Sequence, residues 1–328
     1  MTAKIGIIGA GAWGTALAVT VAGKSDDVLI WAFEQETIKN INNRHENPDF
    51  LPGIAIPNAV AATGDITKLA DRDFILLVAP CQHVRSIIAP LRDYKGTMVI
   101  CCKGIEVKTG KLMSNVIAEV MPKANVAVLA GPQFAKEVAL KLPTATTLAC
   151  ENPERGTYLI ENIAVPYFRP YYSEDVIGVQ LCGALKNVIA IGAGMVEGAN
   201  LGENAKAALI TRGMAEIVRL GKKMGAKSDT FLGLSGLGDL MLTANSRSSR
   251  NYSTGYSLGQ GQTIEEIMRD KKTVSEGVPT TKAALALAAR HNIDMPISAA
   301  IDNIIDGKSD LKTTLKELMS RPFKKENC

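Results

Sequence analysis

Histidine is nearly absent from this chain. The three present, His45, His83 and His291, are scattered, so none has the spacing of a metal-ligand pair or an obvious catalytic dyad. Six cysteines (Cys81, Cys101, Cys102, Cys150, Cys182 and Cys328) include no C-x-x-C pair, and most sit in apolar runs as buried thiols do. Metal chemistry is therefore unsupported, and a reduced, cytoplasmic setting is expected. Aromatic residues make up only 5% of the chain, and 37 basic against 33 acidic residues leave a net charge of +4 without long like-charge blocks. Sparse aromatics and a mild charge demand neither nucleic acid nor a membrane surface, and a small anionic ligand is enough to account for the basic excess. No internal repeat or low-complexity tract is apparent.

Two stretches are apolar enough to raise the question of a membrane. The run from Ile5 to Ala22 follows Lys4 like a signal-peptide core, but its glycine- and alanine-rich filling argues against that. Val176 to Val196 carries Lys186 and Asn187 at its centre. A charge there costs about 2.5 to 3.5 kcal/mol in a bilayer even on a lenient scale, so this run reads as the buried helix of a soluble domain, and no transmembrane segment is expected.

At 328 residues the chain is long for one core and comfortable for two domains. Up to about residue 150, short β-rich runs alternate with helical segments, which predicts parallel βα units in a doubly wound α/β sheet of Rossmann type. Strands are expected at Lys4 to Ile8, Val28 to Trp31, Phe74 to Ala79, Thr97 to Cys101, Val126 to Leu129, Ala145 to Ala149 and Tyr167 to Tyr172. From Ser173 the period becomes helical, with Ser173, Glu174 and Asp175 expected to start a long helix, and Thr263 with Glu266 to form a capping box. The stretch from Leu232 to Tyr256 breaks the pattern with Gly, Ser, Asn and Arg and reads as a long functional loop. The expected domains are 1–172, binding a dinucleotide, and 173–328, all-α.

The first strand runs straight into Gly9-Ala10-Gly11-Ala12-Trp13-Gly14 and then a helical run. Gly9 permits the tight turn, Gly11 lets a pyrophosphate approach the backbone, and Gly14 lets helix and strand pack closely, while the helix N-terminus offers N–H groups to the phosphates. The second strand is followed by Glu34, an acid placed for ribose hydroxyls. In open α/β sheets ligands bind beyond the carboxyl ends of the strands, which marks Ala79 to Gln82, Cys102 to Gly104 and Ala130 to Gln133.

Lys186 lies in Leu181-Cys182-Gly183-Ala184-Leu185-Lys186-Asn187-Val188-Ile189, apolar on nearly every side. A lysine held this way can give or take a proton near neutral pH; it can equally be a snorkelling lysine or one half of a buried ion pair. Asn187 beside it could bond a substrate hydroxyl or a buried carbonyl. Lys103, at a strand end, is placed to polarise a carbonyl or is an ordinary surface lysine. Gly131 and Pro132 end the next strand with backbone that could meet an anion or simply turn. Ser249, Arg250 and Asn251 suit a phosphate through an arginine fork and neutral donors, or form a solvated basic turn.

Taken together, GAGAWGTALA from Gly9, Phe50-Leu51-Pro52-Gly53, CKGIE from Cys102, AGPQFAKEV from Ala130, CGALKNVIAIGAGMVEG from Cys182, GLGDLMLT from Gly236 and SRN from Ser249 make the chain resemble the bacterial-type NAD(P)-dependent glycerol-3-phosphate dehydrogenases over nearly its whole length. The resemblance implies that Lys186 is the proton donor and acceptor, with Lys103 and Asp239 also catalytic. It implies substrate contacts at Lys103, Gly131, Gln133, Asn187, Asp239, Ser249, Arg250 and Asn251. Cofactor contacts are implied at Trp13, Phe33, Lys103, Ala135, Arg250, Val274 and Glu276, beside Gly9, Gly11, Ala12, Gly14 and Glu34 of the loop reading. Gln133 and Cys81 depart from the small hydroxyl residues frequent in the family. Phe33-Glu34 lacks an arginine for a 2′-phosphate, so these residues point to NADH where the family habit points to NADPH. The implied reaction interconverts dihydroxyacetone phosphate and sn-glycerol 3-phosphate with NAD(P)H, for phospholipid synthesis, in a cytoplasmic homodimer. The alternatives are a dehydrogenase of another hydroxy acid and a non-catalytic dinucleotide-binding protein.

Overall fold

The computed structural model describes residues 2–269, 275–323 and 325–326. The chain divides into two compact units, Met1–Lys103 with Leu112–Val179, and Gly104–Lys111 with Gln180–Cys328. In chain order the first elements are β1 (Ile5–Ile8), α1 (Ala12–Val21), β2 (Val28–Trp31), α2 (Gln35–Arg44), β3 (Val60–Thr63), β4 (Phe74–Leu77), α3 (Val84–Ile88) and β5 (Thr97–Ile100). A short pair, β6 (Ile105–Glu106) and β7 (Lys111–Leu112), precedes α4 (Met113–Val120), β8 (Asn125–Ala130), α5 (Ala135–Ala139), β9 (Thr144–Ala149), α6 (Pro153–Ile163) and β10 (Phe168–Ser173).

Eight strands form one sheet in the order β10-β9-β8-β5-β4-β1-β2-β3. All seven strands expected from the apolar runs are present. Near-continuous burial of β1, β4 and β5 follows from helices covering both faces of a mostly parallel sheet. β1 lies between β2 and β4, both parallel to it, so chain crossovers leave β1 in opposite directions and open a crevice at its carboxyl end. The sheet departs from the expected parallel βα units at one place: β8 and β9 are antiparallel, with Leu129 opposite Leu148. β3 was not expected either. Its sequence, Val60-Ala61-Ala62-Thr63, is half alanine and has weak strand preference, and pairing with β2 holds it.

The helical elements are α7 (Val176–Gly198), α8 (Glu203–Lys223), α9 (Asp239–Ala244), α10 (Arg250–Gly259), α11 (Ile264–Arg269), α12 (Gly277–Arg290), α13 (Pro296–Ile305) and α14 (Leu311–Met319). Among the described residues α7 alone is long and apolar enough to cross a membrane, and 94% of its most apolar window is buried inside the protein. Its N-terminus differs from the expected cap. Ser173 stays in β10, paired with Ala149, and Asp175 instead accepts the Gly178 N–H at 2.8 Å. The division between units falls after Val179, not Tyr172, because Val176 and Val179 in the first turn of α7 join the apolar cluster of the sheet unit. The capping box forms as expected: the Thr263 N–H donates to Glu266 at 2.8 Å and the Glu266 N–H to Thr263 at 3.2 Å.

The stretch from Leu232 to Tyr256 is not a long loop. It holds one π-turn, α9 and most of α10. Gly255, one of the glycines that made it look irregular, serves close packing: a methyl group there would collide with the Ile191 carbonyl, as one at Gly194 of α7 would with the Tyr252 carbonyl. α10 therefore lies backbone to backbone on α7, and tertiary contact overrides weak helix preference.

Candidate active site

In the sheet unit, the turn after β1 is built for close approach. Gly9 has φ +112°, which side chains rarely adopt, and a Cβ on Gly14 would overlap the Gly9 carbonyl oxygen. Gly11 is the N-cap of α1 with no side-chain capping bond, and nothing lies within 4 Å of where its Cβ would be. The uncapped N–H groups of the first turn thus face an open approach, as a pyrophosphate requires. Asn47, not among the residues expected at this site, braces this turn: its Nδ2 donates to the Ala10 carbonyl and to Thr15 Oγ1, both at 2.8 Å. An isolated asparagine in a polar stretch gives no prior signal of that role.

Trp13 and Ala135 sit partly buried on α1 and α5, packed against the same apolar cluster, and Trp13 Nε1 is buried with no hydrogen-bond partner among the described residues. Phe33 is 80% exposed beyond β2. Glu34 beside it is the N-cap of α2. At the ends of β5 and β8, Lys103 Nζ donates to the Gly131 carbonyl at 3.1 Å. Gly131 has no room for a side chain, since a Cβ would come within 2.8 Å of Thr146 Oγ1. The side-chain amide atoms of Gln133 are buried and without partners among the described residues, so this amide is turned out of solvent. Cys81 is buried at the turn that follows β4.

In the helical unit, the charge of Lys186 has its compensation. Lys186 Nζ donates to Asp239 Oδ1 at 2.5 Å and to Thr243 Oγ1 at 2.7 Å. Lys186 and Asp239 are both buried. Of the two structural alternatives to a proton-transfer role, the buried ion pair is present and snorkelling is not. An ion pair out of water is weakly stabilising at best, which makes its retention in a core an indication of chemistry. Thr243 was not anticipated. It follows Asp239 by four residues on α9, which places both on one helix face once that segment is helical. Asn187, next to Lys186, is buried and its amide reaches the Gly183 carbonyl at 3.5 Å.

Ser249, Arg250 and Asn251 form the start of α10. Ser249 is the N-cap, accepting the Tyr252 N–H at 3.3 Å. Asn251 Oδ1 accepts the Gly277 N–H at 2.9 Å, which leaves its amide nitrogen as the donor end. Ser275 Oγ donates to the Arg250 carbonyl at 3.2 Å. Glu276, the N-cap of α12, stands between the two residues that make these bonds, so the structure brings Arg250, Asn251 and Glu276 together. Val274 lies outside the described residues.

Comparison with known proteins bears on both units. A family model described as the N-terminus of NAD-dependent glycerol-3-phosphate dehydrogenase matches residues 4–156, and one described as its C-terminus matches residues 175–316. The chain belongs to the NAD-dependent glycerol-3-phosphate dehydrogenase family. Two relatives named glycerol-3-phosphate dehydrogenase (NAD(P)+) illustrate the depth of the match. The protein of Parvibaculum lavamentivorans is 50% identical over 98% of this chain and 98% of its own length, and that of Rhodospirillum rubrum 48% identical over 98% and 93%. The crystal structure of glycerol-3-phosphate dehydrogenase from Coxiella burnetii superposes with a TM-score of 0.92 at 37% identity, covering 98% of this chain and 99% of that one. The two family models together thus span most of the sheet unit and most of the helical unit.

Proposed function

We propose that this chain interconverts dihydroxyacetone phosphate and sn-glycerol 3-phosphate with NAD(P)H, supplying glycerol phosphate for phospholipid synthesis. The observation that carries the reading is the buried Lys186–Asp239–Thr243 cluster, one turn of chain away from an arginine-bearing helix start. When bound, the reduced dinucleotide supplies the hydride. The residues of this chain do the rest. Gly9, Gly11, Ala12, Trp13 and Gly14 receive the dinucleotide, with Phe33 and Glu34 at its adenosine end and Lys103 and Ala135 at its nicotinamide end. Val274, Glu276 and Arg250 are further cofactor contacts.

Ser249, Arg250 and Asn251 hold the substrate phosphate, with the Arg250 fork and the amide nitrogen of Asn251 as donors. Lys186 gives its proton to the carbonyl oxygen as the alcohol forms and recovers one from solvent; in the reverse direction its amine takes the hydroxyl proton. Asp239 and Thr243 hold the ammonium in place, and Asn187 addresses the substrate hydroxyl. Lys103, Gly131 and Gln133 are the substrate contacts assigned to the sheet unit. A cytoplasmic homodimer completes the proposal, supported by exposed apolar side chains on the helical unit such as Leu232 and Met319.

The test is steady-state NADH and NADPH oxidation with dihydroxyacetone phosphate against a panel of 2-keto and 3-keto acids. Turnover confined to the phosphorylated ketone is expected. Preference for a keto acid, or tight dinucleotide binding without turnover, contradicts the reading.

A further inference from the structure

Glu197, in the last turn of α7, is the centre of a charged cluster that the reaction chemistry does not use. Its carboxylate accepts from the Tyr252 hydroxyl, from Arg247 at 3.1 and 3.3 Å and from Lys206 at 3.4 Å. Tyr252 comes directly after Asn251, and Arg247 stands just ahead of Ser249, so residues on both sides of Ser249-Arg250-Asn251 converge on one carboxylate. Arg247 is held further: its guanidinium lies 4.2 Å over the Tyr256 ring and its carbonyl accepts from Ser253 Oγ at 2.7 Å.

This clamp sits at the end of a close helix crossing. α7 and α10 meet at Gly194, Gly198, Gly255 and Gly259, where added methyl groups would strike the opposing backbone. The glycines let the two backbones approach closely along this crossing, and at its end Glu197 adds a polar tie between the helices. Glu197 stands about three helical turns beyond Lys186 on the same face of α7, so a bond from Glu197 to Tyr252 ties the start of α10 to the helix that carries the proton donor.

We propose that Glu197 is a positioning residue that sets Ser249-Arg250-Asn251 in register with Lys186. This inference rests on the reading that the triplet holds the substrate phosphate. In the full chain, Glu197→Ala raises KM for dihydroxyacetone phosphate and the competitive inhibition constant of inorganic phosphate together, each about tenfold, as expected for loss of a charge-assisted bond. kcat and the NADH dissociation constant stay close to wild type. Glu197→Gln keeps an acceptor for the Tyr252 hydroxyl and recovers part of the loss. Glu197 acts through the triplet, so Glu197→Ala weakens phosphate binding less in the Arg250→Gln background than in wild type.

Phosphate binding by calorimetry gives the readout without turnover. If Arg250→Gln weakens phosphate and Glu197→Ala does not, the positioning role is overturned and the phosphate reading stands. If Arg250→Gln leaves phosphate binding unchanged, the phosphate reading itself is overturned. A fall in kcat, NADH affinity and Tm together in Glu197→Ala marks a general structural role and contradicts the proposal.

Discussion

Lys186 Nζ lies 2.5 Å from Asp239 Oδ1, and the two side chains are only 8% and 1% exposed. Neither charge could stay there alone, because an unpaired ion in the interior costs several kcal/mol after relaxation. Thr243 completes the arrangement: it accepts from Lys186 at 2.7 Å and lies 3.4 Å from the same Asp239 oxygen. The ammonium is held by a carboxylate and a hydroxyl from a single short helix, so its direction is set by two residues of α9.

Removing that hydroxyl is expected to show in turnover. Thr243→Val keeps the shape of the side chain and deletes the acceptor, so kcat falls about tenfold while NADH binding is unchanged. Asp239→Asn falls further, by about a hundredfold, because the charge that holds the ammonium is gone. Steady-state assays beside NADH fluorescence titration check both. Wild-type kcat in Thr243→Val contradicts the arrangement.

The glycine turn gives a second expectation. A methyl group at position 14 has to displace the Gly9 carbonyl, and overpacking of this kind costs about 1 to 3 kcal/mol. The displaced turn then presents its N–H groups poorly to the pyrophosphate, and Gly14→Ala binds NADH at least about fivefold more weakly. Its binding of inorganic phosphate, assigned to the helical unit, stays as in wild type. NADH affinity equal to wild type contradicts the role given to this turn.

How much of this was legible in the residues depended on whether local pattern or tertiary contact decided each element. The buried strands and the long helix announce themselves through apolar runs, and Lys186 stands out because its neighbours are apolar. β3 does not, since two alanines in four residues carry little strand preference and its place is set by pairing with β2. α10 does not, because the glycines that look like loop residues are what allow it to lie on α7. Thr243 could be recognised as a partner of Asp239 only once 239–244 was known to be helical, and Gln133 reads as a crevice residue although its amide is buried.

Glu216 carries a pH dependence of stability. From α8 it accepts the Ile297 N–H at 2.5 Å, the Ser298 N–H at 3.1 Å and the Ser298 hydroxyl at 2.8 Å, capping the start of α13 from outside the helix. Burial nevertheless raises its carboxyl above the usual value, outweighing these donors. The folded chain then binds this proton more tightly than the unfolded chain, so the contribution is present below the unfolded value and is lost as pH rises through the folded one. The unfolding free energy of wild type relative to Glu216→Gln should decrease from about pH 4 to about pH 8 in urea titrations. An increase over that range contradicts the assignment.

The central claim is that Lys186 moves the proton and takes no part in holding the dinucleotide. Lys186→Ala, assayed for dihydroxyacetone phosphate reduction and titrated with NADH by fluorescence, tests it most directly. Turnover should be abolished and the NADH dissociation constant unchanged. Turnover near that of wild type in this variant would contradict it.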